Sequence, residues 1–260
     1  MTPLHEAAKA LGGSPQLFAR KVLDYQASRP DYPVALFQRL LRERPAPADV
    51  ADLGAGTGLF TKGLLDAGYR CTAVEPDPGM RAAADSRLGH RAGYGSLDGL
   101  AERLPLAAAS MDLITAAQAF HWFDVPRARA ECQRVLRPGG SVLLVWNERE
   151  PAAAVHRALD RVVATFGGAL RSAQLEHDER SALPAFFGSM PSPWATPHVQ
   201  HLSAEGLLAL VFSRSYMPVR DSEAGREVER EVARLHQAHA EPDGHVRLPY
   251  RTEAFFGRLL

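Results

Sequence analysis

Val50-Ala51-Asp52-Leu53-Gly54-Ala55-Gly56-Thr57-Gly58, running on into Leu59-Phe60-Thr61-Lys62-Gly63-Leu64-Leu65, is the stretch from which the fold is read. It describes a short buried strand ending in an acid, a glycine-dense turn and then a helix. Phe60, Leu64 and Ala67 fall on one face of a 3.6-residue period, and Gly68 stands where helices commonly end. A strand that turns so sharply into a helix makes a nucleotide-type ligand site. Glycines let the ligand approach the main chain, and the helix start offers unpaired N–H groups.

The spacing narrows the ligand. A dinucleotide fingerprint reads G-x-G-x-x-G, whereas Gly54, Gly56 and Gly58 are spaced G-x-G-x-G and Leu59 fills the third dinucleotide position. Asp52 precedes the first glycine by two positions. A carboxylate there would repel the phosphates of NAD and suits a cationic or hydroxyl-bearing ligand. An NAD(P)-dependent oxidoreductase is therefore the weaker alternative. Arg70 to Asp77 reads as the second strand, with Glu75 at its tip, 21 positions after Gly54. In a βαβ unit that acid lies beside the first strand and reaches ribose hydroxyls.

These residues resemble motif I and its partner acid in the class I S-adenosylmethionine-dependent methyltransferases, small-molecule subgroup. In that family the first acid lies near the amino-acid and ribose portions of the ligand, and the glycines line its floor. The resemblance implies that Asp52, Gly54, Ala55, Gly56, Thr57, Gly58, Glu75 and Pro76 hold S-adenosylmethionine, left as S-adenosylhomocysteine after transfer. Gly99-Leu100-Ala101-Glu102-Arg103-Leu104-Pro105 is similar to the family segment that brackets the adenine, with Ala101 and Glu102 in the matching positions. Met80 either flanks the adenine or fills the core. Asp98 competes for the adenine amino group. Arg134-Val135-Leu136-Arg137-Pro138-Gly139-Gly140 before an apolar strand is a more specific mark of the family than the glycine loop.

The implied fold is α/β, a doubly wound, Rossmann-like seven-stranded sheet, mostly parallel with the last strand antiparallel. Residues 1–45 form an N-terminal helical lid, 46–150 the cofactor-binding core, and 151–260 a helical lid plus the strands that complete the sheet. Within the first segment, Ser14-Pro15 starts a helix carrying Leu17, Phe18, Val22 and Leu23. Tyr25 to Pro33 resembles a Y-x-x-x-R-P-x-Y-P lead-in of the subgroup. There Arg29 can pair with a ligand carboxylate while Tyr25 touches cofactor or substrate. The third strand falls in Arg91 to Ser96, the fourth is Met111 to Ala117, and the fifth is Ser141 to Asn147. Asp124 caps the helix between the last two. Gly, Pro and Ser over 167–200 argue for loops, with a strand from His198 to Leu202. Helices follow at Ser203 and at Ser222 to His239, and Val246 to Leu260 closes the sheet as an end strand. Ser213-Arg214-Ser215-Tyr216 and Leu248 to Glu253 are also similar to the subgroup, with Arg214 and Tyr216 read as structural.

The loop after the fourth strand, Ala117-Gln118-Ala119-Phe120-His121-Trp122-Phe123, faces the ligand in such a sheet. Gln118 is assigned to the methionine end. His121 is the candidate general base or acceptor-orienting group, because histidine titrates near neutrality. A base-amine methyltransferase of nucleic acids would show an acid or Asn followed by Pro-Pro-aromatic here, and the chain does not. Its 30 basic and 30 acidic residues cancel without a basic block. The expected partner is a small-molecule acceptor, with no nucleic acid and no membrane; the accepting atom and the oligomeric state stay open. Phe120, Trp122, Trp146, Trp194, Phe212 and Tyr216 could wall the acceptor compartment or belong to the core.

Cys71 and Cys132 read as small core residues, and no cluster with metal-ligand spacing is present; His236 and His239 lack partners. No apolar stretch reaches spanning length and no signal peptide is seen, so the expectation is a cytoplasmic enzyme. A catalytically idle cofactor-binding protein on the same fold is the remaining alternative.

Overall fold

The computed structural model describes residues 28–168, 180–214 and 216–260; Tyr25 and the helix expected around Leu17 to Leu23 lie outside the described residues. The strands are β1 (Asp49–Leu53), β2 (Arg70–Val74), β3 (Tyr94–Leu97), β4 (Met111–Ala117), β5 (Leu136–Arg149), β6 (Pro193–Leu202) and β7 (Val246–Gly257). They form one sheet in the order β3-β2-β1-β4-β5-β7-β6, six parallel and the last in sequence antiparallel. The order reverses direction at β1 and β4, the switch point outside which open α/β sheets bind ligands. Asp52 registers with Ala73 on one side and Thr115 on the other.

The described helices are α1 (Val34–Glu43), α2 (Leu59–Asp66), α3 (Pro78–Leu88), α4 (Val125–Val135), α5 (Ala154–Phe166), α6 (Leu183–Phe187), α7 (Ala204–Phe212) and α8 (Glu223–His239). Several starts follow directly from side-chain chemistry. Asp77 accepts the Met80 N–H at 2.8 Å with Pro78 in the first turn, and Asp124 accepts the Arg127 N–H at 3.2 Å. Ser203 and Ser222 cap α7 and α8 in the same way, at 3.2 and 2.9 Å.

Two compact units emerge among the described residues. The first holds 31–147, 180–196 and 252–260; the second holds 28–30, 148–168, 197–214 and 216–251. In the first unit the central strands are buried on both faces, as an apolar parallel strand requires. Ile114, Leu144 and Trp146 pack with Phe120, Phe186 and Phe255 on one side. Leu113, Leu143 and Val145 pack with Leu36, Leu40 and Phe60 on the other. Each such side chain contributes about 1.5–3 kcal/mol on leaving water. The second unit has its own core, in which Leu159 and Val163 of α5 meet Leu207 and Val211 of α7, Val228 and Val232 of α8, and Leu248.

Two sequence expectations are corrected. Residues 167–200 are not loop throughout: α6 forms at Leu183–Phe187, and β6 begins at Pro193 rather than His198. The last strand does not lie at the end of the sheet either, because β7 inserts between β5 and β6 and leaves β6 at the edge. The residue types explain both. β7 alternates buried Val246, Leu248, Tyr250, Thr252 and Ala254 with more exposed positions, as an interior strand can. Pro193 and Pro197 have no N–H to donate, which an edge strand tolerates.

Candidate active site

The site is built on the tips of β1, β2 and β4 in the first unit. Past Leu53 the chain bends through left-handed Gly54 (φ +62°), Gly56 (φ +56°) and Gly58 (φ +76°) into α2. The three glycines serve different ends. A Cβ on Gly54 would stand 2.6 Å from the Ala119 Cβ, so its bareness lets the loop after β4 close against the turn. A Cβ on Gly58 would meet Leu88 Cδ1 of α3 at 2.6 Å. A Cβ on Gly56 would meet nothing within 4 Å. Gly56 alone presents naked main chain to open space, the feature a ligand floor needs.

Glu75 follows β2 directly and is only 8% exposed. Its Oε2 accepts the Gly56 N–H at 2.8 Å and its Oε1 accepts the Asp77 N–H at 2.9 Å. The Gly54 N–H in turn donates to the Val74 carbonyl at 2.8 Å, which stitches the glycine loop to the β2 tip. Burial raises the Glu75 pKa, against the opposing pull of the two N–H donors. Each carboxylate oxygen keeps a second lone pair, so the group can still accept from two further donors.

Asp52 is turned inward and only 1% exposed. Thr61 Oγ1 donates to its Oδ2 at 2.6 Å and Thr115 Oγ1 to its Oδ1 at 2.7 Å. The β1–β4 register brings Thr115 alongside, and the first turns of α2 bring Thr61. Burial pushes the Asp52 carboxyl up to about 6, with the two hydroxyls pulling the other way and the Glu75 charge adding to the rise. Thr61 and Thr115 were not legible as site residues, since a lone hydroxyl in an apolar run carries no signal until the register is known.

After β4 the backbone takes a left-handed residue at Gln118 (φ +56°), uncommon for a side chain with a Cβ. Its N–H donates to the Val145 carbonyl at 2.8 Å and its Nε2 to the Asn147 carbonyl at 3.1 Å. Asn147 Oδ1 accepts from Thr252 Oγ1 at 2.6 Å. Asn147 thereby fixes the β5 tip to β7, a role its place at the end of a predicted strand did not reveal. His121 lies in a single 3-10 turn, Phe120–Trp122, its ring centroid 4.8 Å from that of Trp122. Trp122 is exposed, whereas Phe120, Trp146, Trp194 and Phe212 are buried core residues.

Pro76 is exposed beside Glu75, and Ala55 and Met80 are half-buried around the loop, with Thr57 buried beneath it. Ala101 is buried in the core cluster on the β4 side. Glu102 Oε1 accepts the Asp124 N–H at 2.7 Å, which ties its turn to the start of α4. Asp98 is largely exposed and pairs with Arg81 at 3.5 Å. Arg81, which also donates to the Glu75 carbonyl at 2.5 Å, was missed in the sequence. Arg29 falls in the second unit and is half-buried. Among the described residues no group of three or more His, Cys, Asp and Glu is placed to hold a metal, and no helix is long and apolar enough to cross a membrane.

Comparison with known proteins bears on this arrangement. A family model described as a methyltransferase domain matches residues 51–144, from within β1 into β5. An uncharacterised methyltransferase of Mycobacterium tuberculosis is 35% identical over 239 residues, 90% of this chain and 92% of that one. The malonyl-[acyl-carrier protein] O-methyltransferase of Methylococcus capsulatus is 47% identical over 100 residues, 37% of this chain and 36% of the relative. Among solved structures, a proposed type II methyltransferase from Anaeromyxobacter dehalogenans superposes with a TM-score of 0.64 at 25% identity, over 89% of this chain and 98% of the other. The glycine turn, the acid at the tip of β2 and a relative matched over nine-tenths of the length agree: the chain belongs to the class I S-adenosylmethionine-dependent methyltransferases.

Proposed function

We propose that this enzyme carries the methyl group of S-adenosylmethionine to a small-molecule acceptor. The observation that carries the reading is the junction of Glu75 and Gly56: a carboxylate with spare lone pairs beside main chain that opens onto free space. Two vicinal ribose hydroxyls are what such a carboxylate accepts. Gly54, Ala55, Gly56, Thr57 and Gly58 form the floor. Asp52 stands behind them, placing negative charge toward the cationic end of the ligand and anchoring the turn through Thr61. Pro76 and Met80 flank the adenosine, with Ala101 and Glu102 around the adenine and Gln118 at the methionine end.

The cofactor's sulfonium supplies an activated electrophile, so the protein's task is alignment. Holding an acceptor in line with the methyl carbon can supply several kcal/mol, up to about 7–11 in the best-oriented cases. Gln118 serves that end because both its main chain and its amide are tied to β5. His121 takes the acceptor's proton on an imidazole nitrogen where the attacking atom must lose one, and otherwise orients the acceptor. A balanced charge and the absence of a Pro-Pro-aromatic segment after β4 favour a small molecule over nucleic acid.

The test is a titration with S-adenosylhomocysteine and NADH, followed by turnover of S-adenosylmethionine against a panel of small acceptors. Tight binding of the first ligand alone, with S-adenosylhomocysteine released on turnover, is expected. Binding of NADH in its place, or turnover only on a nucleic acid or protein, would defeat the proposal.

A further inference from the structure

The connection between β3 and β4, residues 98–110, forms no helix or strand of its own, yet it carries Ala101 and Glu102. It descends from the tip of β3 to the foot of β4. Its upper end is fixed to the β2 tip. The Glu75 N–H donates to the Leu97 carbonyl at 3.1 Å, and a Cβ on Gly99 would stand 2.9 Å from Val74 Cγ1 and 2.5 Å from Pro105 Cδ. The turn thus closes on itself against the strand that leads to Glu75. Glu102 ties it sideways, its Oε1 accepting the Asp124 N–H at the start of α4.

The lower end is held by two side chains of α4. Glu131 Oε2 accepts the Leu104 N–H at 2.7 Å. Arg134 donates from Nη2 to the Leu104 carbonyl at 3.0 Å and from Nη1 to the Leu106 carbonyl at 2.8 Å. The same guanidinium grips both oxygens of Glu131, Nε to Oε1 at 2.7 Å and Nη2 to Oε2 at 2.8 Å. A planar fork of N–H donors matches this set of two carbonyls and a carboxylate, and an ammonium does not. Main-chain bonds extend the join, from the Ala109 N–H to the Arg134 carbonyl at 3.0 Å and from the Ser110 N–H to the Val135 carbonyl at 2.8 Å. Leu104 is thereby buried in the core with both its main-chain polar groups satisfied.

Met111 registers with Leu136 where β4 and β5 begin, so Arg134, just before Leu136, stands at the end of the sheet opposite the tips of β1 and β2. From there it acts on the ligand only through the turn. We propose that Arg134 and Glu131 are positioning residues for the cofactor's base: they hold residues 98–106 in one conformation, so that the turn of Ala101 and Glu102 is already ordered when the adenine arrives. This role rests on the S-adenosylmethionine reading of the site. A segment without a ladder of its own would otherwise be ordered at the expense of binding. Side chains that order it beforehand raise affinity without touching the ligand. Arg134 opens the Arg-Val-Leu-Arg-Pro-Gly-Gly run, which in this way serves the cofactor from the far end of the strands.

Calorimetric titration of the full chain with S-adenosylhomocysteine and with S-inosylhomocysteine tests the assignment. The second ligand carries a carbonyl oxygen in place of the adenine amino group, and a turn bearing Asp98 and Glu102 accepts it less well. The wild type should therefore prefer S-adenosylhomocysteine. Arg134→Gln should weaken that ligand about tenfold and the inosine analogue less, so that the preference shrinks. Arg134→Lys should recover part of the loss. Should Arg134→Gln fail to fold, as its thermal melt will show, Glu131→Gln provides the second measurement. It keeps an acceptor for the Leu104 N–H but not the charge that holds Arg134, and should weaken S-adenosylhomocysteine several-fold with the same shrinking preference. Equal weakening of both ligands would assign the pair to the fold alone and overturn the positioning role. Unchanged S-adenosylhomocysteine affinity in a folded Arg134→Gln, or a wild type without preference, would overturn it too. A wild type that binds neither ligand would count against the cofactor reading itself, and the positioning role falls with it.

Discussion

Replacing Asp52 by asparagine keeps the shape of a buried group and removes its charge, so it isolates what that charge costs. In the folded chain the carboxyl holds its proton up to about pH 6; the ordinary value, to which unfolding returns it, is 3.8. Between those values the native state binds more protons than the unfolded one, so stability falls as pH rises through the interval. The contribution is fully present below 3.8 and lost above 6. A displacement of about 2 units at 1.36 kcal/mol each amounts to about 3 kcal/mol at neutral pH. Asparagine does not titrate, and its amide can exchange hydrogen bonds with the hydroxyls of Thr61 and Thr115. Asp52→Asn should therefore melt about 6–12 °C higher than the wild type at pH 7.5, using about 2–4 °C per kcal/mol for a chain of this size. At pH 4 the two should nearly coincide. The assay is thermal and urea unfolding of both proteins from pH 4 to 7.5. A gap that stays constant across that range, or a variant less stable at pH 7.5, would falsify the account of Asp52 as a strained buried anion. The same variant should lose more affinity for S-adenosylmethionine than for S-adenosylhomocysteine, because only the former carries a sulfonium charge.

Glu75→Ala should weaken S-adenosylhomocysteine binding by about 1.5–3 kcal/mol for each ribose hydrogen bond lost, and an unchanged dissociation constant would remove Glu75 from the site. Gly54→Ala and Gly56→Ala both place a side chain at positive φ, but only the first drives a Cβ to 2.6 Å from Ala119. Gly54→Ala should thus lower the melting temperature sharply, whereas Gly56→Ala should cost only the about 1–2 kcal/mol of a left-handed residue and be read mainly as lost cofactor affinity. Equal melting temperatures for the two would contradict the different surroundings of these glycines. His121→Ala should leave cofactor binding intact and lower turnover with an acceptor that must shed a proton; full turnover would return the histidine to a structural role.

The parts of this fold that could be read from the chain are those fixed by local chemistry. The β1–turn–α2 unit, the starts of α4, α7 and α8 at Asp124, Ser203 and Ser222, and the apolar run of β4 all rest on neighbouring residues, and each lies where its residues point, whereas Asp77, read as the end of the second strand, caps α3 instead. Placement across the sheet does not have that property. The insertion of β7 beside β5 is a pairing over a hundred residues of chain, and nothing in Val246 to Gly257 names its neighbours. The proline count over 167–200 argued against any long element and concealed that an edge strand tolerates proline. In the site, glycine spacing and the two acids were visible because backbone geometry demands them. The hydroxyls of Thr61 and Thr115, the Glu102 bond to the Asp124 N–H and the ties of Asn147 became visible only with the register. Arg214, read as structural from its motif, donates from Nη1 to the Leu210 carbonyl one turn earlier.

The prolines of β6 have a consequence for the behaviour of the chain in a crowded solution. An open sheet margin is ordinarily a template on which a foreign strand can grow, and among the described residues β6 is the last strand on its side of the sheet. Two of its ten positions, Pro193 and Pro197, cannot contribute an amide hydrogen to such growth. Prolines on such a strand oppose that growth, and exchanging both for valine should show itself first as precipitation rather than as lost activity.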